Sequence, residues 1–386
     1  MGFDYLGTME ETIVAEGLEG KIIMIYGGNN LGKTQQSTKF PKPVTLPLEP
    51  NALNAIGGAM KLPVYDWAGF RDFTDSVYRD KVNYEKALAS LNKELSRAEP
   101  KDKEEKAERA DKLKTLQDKV DNSAYMQFRD RVTTINLDSL TALAKSAEKY
   151  VTDEADVLEL SDGNRGKLYK RFENEVYHTV NQFFNLGDFT YVILAHEDFR
   201  NIGTEDEPIM QAIPKGDWKR VVKPVIDRCD IIVYLKSNGI GEDKREIPSS
   251  GIMAQCDLCF ARTKWDNMDL YIKDFSAENL EKVVKKAITE QKDSGVKVGS
   301  FKNQQKTFVN NMSLDHEEVK DKIGNLFNII YTHDKKDIDG INMRKYQAIV
   351  DEFLGEGKRV SDTNAKQIGQ LTNILSRTQD LSESLV

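Results

Sequence analysis

The chain carries six short runs of aliphatic and β-branched residues, and between them lie stretches whose apolar positions recur every three or four residues. The runs are Lys21–Tyr26 (KIIMIY), Val44–Leu48, Val132–Leu137 (VTTINL), Thr190–Ala195 (TYVILA), Ile231–Leu235 (IIVYL) and Leu258–Thr263. The first, third, fourth and fifth are nearly continuously apolar, which suits strands covered on both faces of a parallel sheet better than a half-exposed hairpin. Helical spacing falls between them, at Lys33–Thr38, Leu140–Tyr150, Gly166–Leu186 and Asp217–Arg228. Strands alternating with helices predict an α/β core with a mainly parallel sheet.

Two helical additions surround this pattern. From Lys81 to Asp121, apolar residues at Leu88, Leu91 and Leu95, then Ala107, Ala110, Leu113, Leu116 and Val120, form a helical stripe that Pro100 and a charged cluster divide. A helical hairpin inserted at about 81–128 is the simplest reading, and its charge-dense faces favour a solvated insertion with no binding role. After Phe275 the strands stop, predicting a core over 1–275, a helical extension over 276–340 and a small C-terminal helical module over 341–386. The last has a Ser/Asp/Thr cap signal ahead of a helix carrying Ile368, Leu371, Ile374 and Leu375.

Composition narrows the class. The 386 residues leave room for a catalytic core plus something extra, and nothing in them suggests collagen, a disulfide scaffold or a mucin-like chain. No apolar stretch approaches the roughly 20 residues that cross a bilayer, and the N-terminal MGFDYLGTMEETIVAEG is acidic where a secretory leader would be basic. Three cysteines, Cys229, Cys256 and Cys259, are an odd number in a long chain, so a reducing cytoplasm is expected. With 55 Lys+Arg against 63 Asp+Glu, the net charge of −8 argues against wholesale coating of nucleic acid and leaves only local basic surfaces. Cys256-Asp-Leu-Cys259 has the spacing of a metal or redox pair, but no second such pair accompanies it, so two core cysteines are the simpler expectation.

The chemistry is concentrated at strand ends. Directly after the first run comes Gly27-Gly28-Asn29-Asn30-Leu31-Gly32-Lys33-Thr34, matching G-x-x-x-x-G-K-[ST] at every defined position, with a strand before it and a helix after. In such a loop the glycines let backbone N–H groups turn toward phosphate oxygens, the lysine neutralises β/γ charge and the threonine hydroxyl ligates Mg²⁺. Asp138, closing VTTINLD, is the carboxylate expected to hold the hydrated metal, a role compatible with capping the helix that follows. Glu49, near the end of VTLPLEP, stands where a base for the attacking water is needed, or is a loop residue between two prolines. His196, ending YVILAH, either contacts the γ-phosphate or is a satisfied structural histidine.

In this order GGNNLGKT, VTLPLEPN, TTINLDSL, YVILAHED and DRCDIIVYL resemble the RecA-like P-loop ATPase core, most closely the phage nucleotide-binding proteins grouped with Sak-type single-strand annealing ATPases. The resemblance covers roughly residues 18–80 and 130–265. It implies ATP and Mg²⁺ as cofactors, phosphate binding by Gly27, Gly28, Asn29, Asn30, Leu31, Gly32, Lys33 and Thr34, metal binding by Thr34 and Asp138, and catalytic roles for Lys33, Glu49 and His196. It also implies that the stretches after the Asp138 and His196 strands, about 152–166 and 198–216, face single-stranded DNA. Their margins carry Arg165, Lys167, Lys170 and Arg171, and Lys215, Lys219, Arg220 and Lys223, without an aromatic-rich stacking platform. Arg262 and Lys264 resemble the basic pair that such proteins supply in trans to a neighbouring copy.

The function this implies is an ATPase of phage DNA recombination or replication, oligomerising on single-stranded DNA in the host cytoplasm. The alternatives are a P-loop motor without strand exchange and a nucleotide-switched scaffold whose hairpin and tail dock a replication partner or a single-strand-binding protein.

Overall fold

A computed structural model describes residues 12–49, 51–97, 102–162, 166–187, 189–242, 247–301, 316–355 and 357–363, with scattered positions from 371 to 385. Pro100, Arg165 and Ile368, named above, lie outside the described residues. Five parallel strands make the centre: β1 (Ile22–Gly27), β2 (Pro43–Pro47), β3 (Thr134–Asp138), β4 (Thr190–Asn201) and, after the short β5 (Met210–Pro214), β6 (Ile231–Lys236). Their spatial order is β6-β1-β4-β3-β2, so β4 separates the phosphate-loop strand from the strand ending in Asp138. Antiparallel strands β7 (Ser250–Ile252) and β9 (Tyr271–Ile272) extend the β6 edge, and β8 (Arg262–Thr263) pairs with the start of β6.

The continuous apolar runs are explained by a layer on each face. From β1, Ile22, Met24 and Tyr26 enter one core cluster while Ile23 and Ile25 enter another, and β4 splits likewise into Tyr191, Ile193 and Ala195 against Val192 and Leu194. The first cluster is closed by α2 (Trp67–Leu95), α5 (Leu140–Glu154) and α6 (Lys167–Phe184), through residues such as Phe70, Leu143 and Phe183. The second is closed by Leu280, Val284 and Ile288 of α8 (Ala277–Asp293), so α8 packs as part of the core and the division of the chain falls after it, not at Phe275. Of the predicted strand at Leu258–Thr263, only Arg262–Thr263 is strand, because Cys256–Cys259 makes a tight turn instead.

The inserted hairpin is present as α2 and α3 (Lys103–Asp121), followed by α4 (Ala124–Arg131). Helix α2 starts well before the predicted Lys81, because Trp67 and Phe70 anchor it in the core, and Asp66 caps it by accepting from the Gly69 N–H at 2.8 Å. At the other end, the Glu94 carboxylate takes Lys112 at 2.7 Å and Arg97 at 3.3 Å, joining α3 to α2. The predicted helix at Asp217–Arg228 opens as a π-helical turn, Trp218–Val222, before α7 (Lys223–Ile226).

Residues 1–13 and 302–386 group as a separate unit. Its described part holds α9 (Ala-free helix His316–His333) and α10 (Ile341–Leu354), whose Ile323, Ile330, Tyr346 and Val350 share a core with Leu371, Ile374 and Leu375. Among the described residues no helix is long and apolar enough to cross a membrane.

Candidate nucleotide site

Parallel register brings the site together. Gly27, the last residue of β1, pairs with His196 of β4, and Asp138 at the end of β3 pairs with Pro47 of β2, two residues before Glu49. The ends of β1, β2 and β3 and the middle of β4 therefore deliver the phosphate loop, Glu49, Asp138 and His196 to one edge of the central strands, the position where parallel α/β folds bind ligands.

The loop's conformation explains its glycines at two positions. Gly27 has φ +153°, and an added Cβ would lie 2.6 Å from the Leu235 carbonyl; Gly32, at φ +77°, turns the chain into α1 (Lys33–Ser37). Lys33 is buried, donates to the Gly27 and Gly28 carbonyls at 3.0 and 2.5 Å, and has its ammonium pKa lowered by that burial. Thr34 donates to Asp138 Oδ2 at 2.8 Å. These two oxygen donors suit a hard divalent cation, and burial raises the Asp138 carboxyl above its ordinary range, so a cation there would favour its charged form.

Glu49 is held differently. Its Oε1 accepts from Ser139 Oγ at 2.5 Å and lies 3.1 Å from His196 Nε2, while its backbone N–H donates to the Asp138 carbonyl at 3.3 Å. The hydrogen bond with His196, reinforced by Ser139, holds its carboxyl down at about 2, so it is ionised at neutral pH. An ionised carboxylate in this position can accept a proton from water. Ser139 also caps α5, accepting from the Ala142 N–H at 3.3 Å. The His196 N–H donates to Thr141 Oγ1 at 3.2 Å, and its carbonyl accepts from the Lys215 N–H at 2.9 Å.

Two clefts meet at this pair. One, of about 650 Å³, runs along Asn30 to Gln35 with Asp138 and Ser139. The other, of about 570 Å³, opens beyond Gly28 toward Thr141, Lys145, Phe199 and Lys215, and both share Asn29, Glu49 and His196. Among the described residues neither Lys145 nor Lys215 has an ion-pair partner for its ammonium.

Sequence reasoning missed several residues. Thr141 and Lys145 carry no motif signal, since they reach the clefts only through the helical turn after Ser139. Glu197 lies beside Gly28 and accepts from the Tyr234 hydroxyl at 3.1 Å; its place directly after His196 was the available hint. The stretch 198–216 holds a ribbon: β4 continues to Asn201 and pairs antiparallel with β5. Asn201 Oδ1 accepts from the N–H groups of Gly203 and Ile209 and closes the tip. Arg262 and Lys264, expected to act in trans, lie away from this chain's own phosphate loop. They sit by the start of β6, at the opposite edge, where Arg262 donates to the Ile226 carbonyl and Lys264 pairs with Asp230 at 2.8 Å.

Comparison with known proteins gives the family of the chain. The model of an AAA domain family matches residues 19–255. The SPbeta prophage-derived uncharacterized protein YorG of Bacillus subtilis (strain 168) is 34% identical over 374 residues, covering 96% of both chains. A likeness to a prototypical ATPase from the type III secretion system of pathogenic bacteria covers 92% of this chain and 81% of that one, but at 9% identity and a TM-score of 0.29 it carries no argument. None of these matches distinguishes the Sak-type group from other phage ATPases. By the extent of the family match and of the prophage relative, the chain belongs to the AAA-domain family of P-loop ATPases.

Proposed function

We propose that the protein hydrolyses MgATP and uses it to control an oligomer on single-stranded DNA, as a Sak-type ATPase of phage recombination or replication. The observation that carries the ATPase part is the Glu49 carboxylate, ionised and steered by Ser139 and His196, on the same sheet edge as Lys33 and the Thr34–Asp138 pair. In this reading Lys33 leaves the Gly27 and Gly28 carbonyls for phosphate oxygens, Glu49 takes the proton of the attacking water, and His196 registers the γ-phosphate. Thr34 and Asp138 would hold Mg²⁺, which supplies charge neutralisation at the β- and γ-oxygens.

The DNA part is supported by the second cleft. Lys145 of α5 and Lys215, just after β5, line the same cleft as Phe199, which is 52% exposed on the ribbon that continues from His196. Two ammonium groups beside an exposed ring suit a phosphodiester and a base. For completing a neighbouring copy's site, Lys264 is the exposed candidate and would exchange its bond to Asp230 on assembly.

The test is ATP turnover with and without single-stranded DNA, alongside sizing with a non-hydrolysable ATP analogue. Stimulation by DNA and assembly with the analogue are expected, with both lost in Lys33→Ala. Replacing Lys145 and Lys215 by alanine should lower the salt dependence of DNA binding by about 1.4 in log–log slope. Turnover that ignores DNA, with assembly still following ATP, would instead favour the nucleotide-switched scaffold.

A further inference from the structure

Cys256 and Cys259 close a tight turn in a geometry that the ATPase reading leaves unused. Each donates its backbone N–H to the other's carbonyl, at 3.1 and 3.2 Å. Residues that exchange both bonds in this way have Cα atoms about 5.5 Å apart, inside the roughly 4.4–6.8 Å span that a disulfide bridges. The two Sγ atoms already lie 3.7 Å apart. Accessibility is asymmetric, since Cys256 is exposed and Cys259 is buried, with its thiol pushed up to about 12 by that burial. The third cysteine, Cys229, is buried and its thiol donates to the Val225 carbonyl at 3.3 Å. Among the described residues no group of three or more metal-ligating side chains exists, so the two thiols do not form part of a larger metal centre there.

The turn's position adds to its interest. Its backbone is stitched to β5: the Ala212 N–H donates to the Leu258 carbonyl and the Phe260 N–H to the Ala212 carbonyl, both at 2.9 Å, and Gln211 Nε2 donates to the Cys256 carbonyl at 2.8 Å. Strand β5 pairs with the part of β4 that runs on from His196.

We propose that Cys256 and Cys259 are a dithiol modification site, oxidised to an internal disulfide by a low-molecular-weight disulfide of the glutathione type. The exposed Cys256 thiolate attacks one sulfur of the small disulfide and expels one small thiolate. Cys259 then gives its proton to solvent and attacks Cys256 Sγ, forming the internal S–S bond and expelling the second small thiolate. Two protein thiols are oxidised and one small disulfide is reduced to two thiols.

The test is intact mass under non-reducing conditions after treating the full chain with oxidised glutathione. The expected parent product has lost two hydrogens and carries no adduct, and a small reducing thiol restores its original mass. Cys259→Ser should trap one glutathione on Cys256, whereas Cys256→Ser should remain unmodified. A parent that stays fully reduced, or that holds a stable adduct without the internal bond, would overturn the proposal. So would modification of Cys256→Ser to the same extent as the parent.

Discussion

Two carboxylates on neighbouring strands answer to opposite forces. Glu49 is partly open to solvent and accepts hydrogen bonds, so its pKa falls to about 2, whereas Asp138 is 5% exposed and burial raises its pKa. A depressed carboxyl contributes stability that is present above its unfolded value, roughly 4.3, and is lost as the pH falls toward about 2. Glu49→Gln should therefore bind ATP yet turn it over about 10²–10⁴-fold more slowly. Its melting temperature should differ from the parent's most at neutral pH and converge with it through that acid window. Equal turnover in parent and variant would remove Glu49 as the base.

Asp138 gives the reverse sign. Its raised pKa costs stability above the ordinary aspartate value of roughly 3.9 and costs nothing below it, where folded and unfolded chains both hold the proton. Asp138→Asn, without nucleotide or magnesium, should then melt higher than the parent at pH 7, lose that advantage in acid, and lose ATP turnover. A variant that melted lower at pH 7 would mean that the hydrogen bond from Thr34 outweighs desolvation.

At the scale of elements, the central strands were legible because burial on both faces leaves an unbroken apolar run that no half-exposed segment shows. The ribbon after His196 was not. In its β4 half Phe199 and Asn201 are exposed, so no burial pattern marks that strand, and the pairing with β5 is made by backbone groups that carry no sequence signal. Helix α2 shows the same limit at its start, where only packing distinguishes the anchored first turns from the more exposed middle. Phe70 is fully buried, its ring 5.0 Å from that of Phe183 on α6, and Tyr78 is 39% exposed on the same helix. Phe70→Ala should cost about 3–5 kcal/mol in denaturant unfolding, and Tyr78→Ala within about 0.5 kcal/mol. Similar losses at both positions would mean that the far part of α2 is as firmly packed as its start.

For the whole molecule, the division after Phe301 makes a direct expectation. The unit Val14–Phe301 contains the sheet, both main core clusters and every residue of the candidate nucleotide site. A chain ending at Phe301 should fold cooperatively and bind ATP with the affinity of the full protein, measured by calorimetry. Loss of binding on truncation would make the helical unit part of the nucleotide machinery. The net charge of −8 matters at this scale too, because a repulsive overall field confines any contact with nucleic acid to local patches such as Lys145 with Lys215.

The amino-acid sequence by itself determined the local chemistry: a phosphate loop whose glycine spacing has few other uses, apolar strands with a carboxylate or histidine at each end, and helical stripes on either side. Local patterns are readable because steric and burial requirements act on neighbouring residues. Tertiary structure alone decided which strand lies beside which, and so set His196 against Gly27, joined Ser139 and His196 on a single oxygen of Glu49, and sent Arg262 and Lys264 to the opposite edge. Those outcomes depend on the register of strands separated by up to about a hundred and seventy residues, which backbone hydrogen bonds enforce without regard to side-chain identity.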